Sequence, residues 1–517
     1  MRSRPLPCFA ALAIALALIA GARPAGAQAS PYIPLDDPRW PLIEHLILRG
    51  DIDDPTPFVR PFRRKDLLRV LDAAGLAADA PAGPVARALG DDFRPRDGDG
   101  WWSITGRLGG QGFSRARRDL LHPGGSGGVR GYADLGIALA FGPVIAAARA
   151  AAENRLKLDP DWKAAPSQRA KSIAYRWVEG YGSVQWKWGN AFFGTMDREW
   201  TLPGLSGMAL SSQAYPRTDV GLDLGSRTLR FSAVTSQLQD TVQRDGTVVH
   251  RYFAAHRATF RPFGGVDVGL WETAMVTARG DRLVGPSLLL PFRLWIFPDQ
   301  FGEQPANARN VIFGGDLRVR VRRTVRLEGQ LAIDDFSPDA GRTKPPNRFA
   351  FAAGAAVTLP RGMLFRGLYS MVSSLAYTTL DPFQNFSEQG VGLARGFPDN
   401  DQLTVTLGIP VRTRWLVTPE LTFFRQGQGR ITDSVPGDAP SQAAIPTLFI
   451  GTVAKTLRVG LAVSGQSGPL ALSAIGGLHR VWNADHVAGR SRTRFEGRLQ
   501  ATLGIGFGGT IRPDDEP

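Results

Sequence analysis

The chain has 517 residues, of which 60 are glycine and one is cysteine, 43 % are hydrophobic, and the formal net charge is +14. A single cysteine, Cys8, excludes disulfides, thiolate metal sites and a cysteine nucleophile in the exported chain. The positive surplus favours polyanions such as lipid phosphates, acidic polysaccharide or nucleic acid.

Residues 1–27 read as a secretory leader: Arg2 and Arg4 form the positive start, Phe9 to Ala20 a short apolar run, and Ala25-Gly26-Ala27 a cleavage site, so the exported chain begins at Gln28. The leader holds Arg2, Arg4 and Arg23 and no acid, which leaves +11 of the +14 on the rest. Export to the cell envelope points away from nucleic acid. No later segment has the run of about 18 apolar residues that a membrane helix needs.

Residues 28–98 form a small helical unit. The first helix spans Pro41 to Arg49, with Leu42, Ile43, Leu46 and Ile47 on one face and Gly50 as its stop. A second runs from Arg63 to Ala74 and stops at Gly75, and a third covers Pro84 to Leu89. Three helices this short bury little core alone, so they are expected to dock on the mouth of something larger.

From Trp101 the hydrophobic period becomes two. Leu327, Gly329, Leu331 and Ile333 alternate with Arg326, Glu328 and Gln330, and Phe495, Leu499, Leu503, Ile505 and Phe507 alternate with Glu496, Arg498 and Gln500. Strands of this kind place one apolar face on lipid and one polar face on a lumen. Interleaving also explains how a mean hydropathy of −0.12 is compatible with a membrane wall.

Eight short turns are predicted at 141–143, Gly180-Tyr181-Gly182, 225–226, 263–265, 322–323, 359–362, 411–413 and 466–468. They alternate with nine long polar connections near 116–127, 158–169, 190–218, 239–247, 277–308, 336–346, 377–402, 426–445 and 482–491. The fold class is therefore an all-β transmembrane barrel of about 18 antiparallel strands over residues 99–517, with short turns and both termini periplasmic. Trp101, Trp102, Tyr181, Trp186, Trp188, Trp415 and Phe423 are candidates for interfacial girdles.

His256 and Glu272 fall opposite each other in the apolar phase of one hairpin. Either a bulge turns this stretch inward or the two are bonded across the strands, and a structural pair is the preferred reading over a lumen site. The six histidines show no metal-ligand spacing, no G-x-S-x-G elbow occurs, and His122 and His486 have no evident catalytic partner. No cofactor, metal or enzymatic activity is expected. Three long connections join aromatic rings to polar groups: Asp197, Arg198 and Trp200; Arg293, Trp295 and Asp299; Phe383 and Asn385. Sugars bind by stacking on rings and bonding to planar polar groups, so these eight residues are the candidate saccharide contacts.

Over most of its length the chain resembles the capsule-assembly Wzi family. The likeness rests on Tyr32-Ile33-Pro34-Leu35, Arg60-Pro61-Phe62-Arg63-Arg64, Gly194 to Pro216 with Arg198, Trp200 and Ala214-Tyr215-Pro216, then His256 to Phe260, Glu272, Asn310-Val311 and Ile333 to Phe336. Thr201 stands where the family has glycine, and residues 508–517 extend past the last strand. The resemblance implies a non-catalytic outer-membrane lectin of 18 strands with a periplasmic helical piece, binding capsular or exopolysaccharide at the cell surface. Its other partners would be outer-membrane lipids and the barrel assembly machinery. A porin-like passive channel is the alternative.

Overall fold

The computed structural model describes residues 28–76, 82–94, 100–117, 119–280, 290–297, 309–335 and 346–511. The leader expected at 1–27, Asp299, Phe336 and residues 512–517 lie outside these residues.

Eighteen strands close into one antiparallel barrel. In chain order they are β1 (Gly100–Phe113), β2 (Gly128–Phe141), β3 (Val144–Glu153), β4 (Tyr175–Trp186), β5 (Gly189–Thr195), β6 (Thr218–Gly225), β7 (Leu229–Gln237), β8 (Val248–Phe263), β9 (Val266–Arg279), β10 (Arg309–Arg322), β11 (Val325–Asp335), β12 (Arg348–Thr358), β13 (Leu364–Val372), β14 (Asn400–Val411), β15 (Trp415–Gln426), β16 (Ala454–Ser467), β17 (Leu470–Trp482) and β18 (Ser491–Ile511). Each pairs with its chain neighbour, and β1 closes on β18 from Gly100↔Ile511 to Phe113↔Arg498, so no sheet edge is left open. The period of two does what it should. On β18 Phe495 and Phe507 are each 65 % exposed on the outer wall, whereas Glu496 is 7 % exposed and points inward. Arg326, Glu328 and Gln330 of β11 are buried inside while Leu327 and Leu331 face out.

The short turns gather at one end and the long connections at the other. One predicted turn is wrong. Gly180-Tyr181-Gly182 lies inside β4, paired with Ala146, Ala147 and Ala148 of β3, and the chain turns instead at Lys187-Trp188. The two glycines imitate a turn, but Tyr181 points inward and its hydroxyl accepts from the Tyr32 N–H at 3.0 Å. The correction converts residues 189–195 from connection to strand and keeps the strand number. Tyr181 and Trp101 are buried on the lumen side and leave the girdle, whereas Trp102, Trp188 and Phe423 are exposed on the outside.

Helices α1 (Trp40–Arg49), α2 (Arg64–Leu76) and α3 (Gly83–Phe93) pack on one another and on Leu416 of the wall. Gly50 ends α1 in the left-handed conformation (φ 78°), and its N–H closes on Ile47 O and Leu46 O. Gly75 does not end α2, which runs one residue further, and its carbonyl is held by Arg87 from α3 at 2.7 Å. α3 outruns its expected end because Leu89 and Phe93 both bury in this cluster.

The helical unit caps the short-turn end. Arg49 donates to Met363 O at 2.6 Å, His45 bonds Gly362 O at 2.8 Å, and Asp92 pairs with Arg414 at 2.8 Å. Asp36 pairs with Arg149 of β3 at 2.6 Å, and Asp54 joins Arg60 (3.0 Å) to Arg318 of β10 (2.7 Å).

Candidate functional site

Two connections fold back into the barrel and build a core inside it. β5 is only seven residues long, so the chain leaves the wall early and residues 196–217 enter the lumen. Trp200 there pairs with Val59 of the capping unit, and Glu199 with Arg60. The Trp200 ring, 1 % exposed, packs with Phe58, Leu202, Met208 and Leu210, with Trp271 and Ile312 of the wall, and with Tyr377, Phe386 and Leu393 from the connection 373–399. Polar groups lock this plug. The Glu199 carboxylate accepts from the N–H groups of Gly207 (2.9 Å) and Ser212 (3.0 Å), the Tyr377 hydroxyl donates to Met208 O at 2.9 Å, and Gln330 of the wall donates to Trp200 O at 3.1 Å. Between plug and cap a cavity of about 640 Å³ remains, lined by Trp40, His45, Gln213, Arg366, Arg395 and Glu420 among others.

The plug decides where the expected contact residues sit. Asp197 lines a small cavity with Asp36 and Pro61, near the capped end. Arg198 lies 3.5 Å over the Phe192 ring and 3.4 Å from Asp219, buried. Asp197, Arg198 and Trp200 are thus lumen residues, not a surface loop. Their aromatic and charged pattern serves the filling of the barrel.

Asn385 is also buried: its amide donates to Ile431 O (2.9 Å) and Asp433 O (3.0 Å), stitching 373–399 to the connection 427–453. Phe383 is half-buried and its carbonyl takes a bond from Arg251 at 2.8 Å. Trp295 is buried against the outer wall, with the Arg293 guanidinium 4.4 Å from its ring. His256 and Glu272 are bonded across β8 and β9 at 2.9 Å and keep the outward phase, so no bulge turns them inward.

The structure adds residues that the aromatic pattern did not single out. Asp399 is a buried hub whose carboxylate accepts from the N–H groups of Gly429 (2.9 Å), Phe449 (2.5 Å) and Ile450 (2.9 Å), which makes the loop end a built platform. On the inner wall, Arg458, His479 and Arg494 occupy one row across β16, β17 and β18. Glu496 meets Arg494 at 2.6 Å, Arg115 at 3.8 Å and Arg117, so three guanidiniums share one carboxylate. Arg115 and Arg494 stay partly open to solvent, at 36 % and 28 % of their side chains. Both ring nitrogens of His479 lack a hydrogen-bond partner although the residue is buried. Such a cluster, rich in donors and short of acceptors, suits an anionic group. The signal was present in the sequence as Arg492, Arg494, Glu496 and Arg498 in one phase, but nothing local brings Arg115 and Arg117 to them.

His122 and His486, by contrast, are engaged. His122 bonds Asp161 at 2.5 Å through Nδ1 and Gln213 through Nε2, with its side chain fully covered. His486 accepts from Arg430 at 2.8 Å and donates to Thr452 O at 2.7 Å. Neither offers a free nitrogen to a substrate. Among the described residues no group of three or more His, Cys, Asp or Glu is placed to hold a metal ion.

No family model matches this chain. No curated protein matches it either. Among solved structures, the chain superposes on Wzi of Escherichia coli, reported as an outer-membrane protein involved in group 1 capsule assembly and a carbohydrate-binding β-barrel, with a TM-score of 0.58, 14 % identity, and coverage of 93 % of this chain and all of that one. OprD of Pseudomonas aeruginosa gives a TM-score of 0.42 at 13 % identity, covering 79 % of this chain and 94 % of that one. OccAB4 of Acinetobacter baumannii gives 0.46 at 10 %, covering 80 % and 100 %. At these identities the likeness is one of fold. The fold is that of Wzi, which agrees with the resemblance read from the sequence.

Proposed function

We propose that this chain is a non-catalytic barrel of the bacterial outer membrane that binds an acidic capsular or exopolysaccharide at its loop end and holds it on the cell surface. The observation that carries the reading is the combination of a plugged lumen with the arginine group around Glu496. A plug stitched to both the wall and the cap disfavours a passive channel. Guanidiniums in surplus over carboxylates favour the carboxylate or acidic substituents of a glycan. The printed description of Wzi as a carbohydrate-binding barrel in capsule assembly supports the same role. In this reading the short turns, the helical cap and both termini are periplasmic, and the long connections face outward. Insertion would use the barrel assembly machinery, with outer-membrane lipid around the wall.

The test is binding of purified full-length protein to an acidic and to a neutral bacterial polysaccharide across a salt series. Affinity for the acidic polymer should fall as ionic strength rises, and Arg115→Ala with Arg494→Ala should weaken it further and flatten the salt dependence. Equal binding of both polymers, unchanged by salt, refutes the acidic part of the reading. No binding of either refutes the lectin itself.

A further inference from the structure

The connection between β9 and β10 does not all stay at the loop end. Residues 290–297 lie against the outside of the barrel. Trp295, 1 % exposed, is seated on Tyr252, Ala254, Ala274 and Val276, with Val311 beside them. Phe292 stacks on Phe231 of β7 with ring centroids 5.0 Å apart, and Phe231 in turn lies over His256. These partners all belong to the outward phase, the same phase that exposes Leu229, Phe260, Leu270, Phe313 and Leu317.

Two anomalies of the wall are resolved together by this strap. Glu272 faces outward six residues from the start of β9, roughly 15 Å along the barrel axis from the short turn for a tilted strand, inside an apolar band about 25 Å tall. A carboxylate there is costly unless partnered. It is partnered fully: it accepts from His256 Nδ1 at 2.9 Å, from the Trp295 N–H at 2.8 Å and from the Ile296 N–H at 3.0 Å. Irregular backbone at that depth is costly for the converse reason, its unbonded N–H groups, and Glu272 satisfies two of them. The wall under the strap is also hollowed, since Ala233, Ala254 and Ala274 stand where other arcs carry leucine or phenylalanine. Away from the barrel the strap presents Leu290, Phe292 (65 % exposed), Leu294, Ile296 and Phe297 (64 %).

We propose that residues 290–297 are embedded among the acyl chains of the leaflet on the loop side, where the strap fills a notch in the wall and its exposed side chains continue the apolar band. The occupant of that face is lipid acyl chain, because the face is continuous with the band around it and its single charged side chain, Arg293, is turned onto the Trp295 ring at 4.4 Å. The His256–Glu272 pair is the clamp that holds the strap down. This inference is independent of the glycan reading.

The chain beyond the leader has no cysteine, so single introduced cysteines label uniquely. Full-length Phe297→Cys carries a nitroxide in lipid vesicles, with Leu270→Cys as the reference in the band and Arg361→Cys as the reference in a short turn. Collisions with oxygen and with a water-soluble nickel chelate are read by electron paramagnetic resonance. The expected result is frequent oxygen collision and loss of nickel collision at position 297, as at 270. Nickel collision matching position 361 overturns the proposal, and so does dipolar broadening between labels, which would place a second copy on this face. Glu272→Ala in the Phe297→Cys background should mobilise the label and admit nickel while the heat-dependent gel shift of the folded barrel persists. An unchanged spectrum overturns the clamp. His256→Ala, which leaves the carboxylate and its two backbone bonds, should loosen the label less and serves if the first variant does not fold.

Discussion

Arg257 reaches from β8 across Gly269 of β9 to Asp316 of β10, and the two side chains meet at 2.6 Å with no exposure to solvent. A Cβ on Gly269 would stand 2.6 Å from the Asp316 carboxylate, so glycine there leaves the passage the ion pair needs. The Arg257 guanidinium also lies 5.3 Å from the Trp200 ring, which ties the pair to the plug. Removing one partner strands a buried charge. Asp316→Ala should therefore cost about 3–5 kcal/mol, read as a shift in denaturant midpoint in lipid or detergent. Trp200→Ala should cost a similar ~3–5 kcal/mol by leaving a cavity in the internal core. At this scale the sequence identified reactive residue types well but not their surroundings. Trp200 and Trp295 look alike as aromatic residues in polar connections. One fills the lumen and the other lies on the outer wall, because contacts outside the local sequence decide each.

Among elements, the cap and the plug carry separate expectations. Asp54 sits where cap and wall meet. Burial alone would raise its carboxyl, but the Arg60 and Arg318 guanidiniums outweigh that and hold it down at about 2. A depressed acid stabilises the docked state above its unfolded value near 4, and that contribution is lost as pH falls from there through about 2. Pepsin digestion in detergent should leave residues 28–94 protected at pH 4 and release fragments of them as pH nears 2, with the barrel still intact. For the plug, replacing residues 201–213 by a short Gly-Ser linker should produce steady conductance in planar bilayers where the full chain is silent. The elements themselves were largely legible. Six of the eight short turns are marked by glycine, proline or a charged pair between alternating runs, and a seventh, Val411-Arg412-Thr413, by a lone charge. The eighth failed because Gly180 and Gly182 carry the same local signal without turning, and only the pairing with β3 shows it.

For the whole molecule, closure is the governing fact. β1 and β18 pair along the full length of β1, so the wall has no free edge and should resist detergent until heated, giving a faster-migrating unheated band on gels. On the proposed function, a barrel fixed in a surface with one weak anion-binding site per copy gains from a repeating ligand. Vesicles bearing many copies should bind the intact acidic polymer about 10²-fold or more tightly than its repeat oligosaccharide. Equal affinities would place recognition at a single strong site.

The sequence by itself determined the wall: period-two alternation, short turns alternating with long connections, and a strand number near eighteen follow from which residues can face hydrocarbon and which cannot. Those are properties of neighbours along the chain or across one turn. Tertiary structure alone decided the contents of the barrel and the route of its connections. A polar, aromatic-rich connection of twenty residues is equally compatible with entering the lumen, standing at the loop end or lying on the outer wall. The choice depends on which distant surface offers a cavity of the right size and a partner for each buried charge.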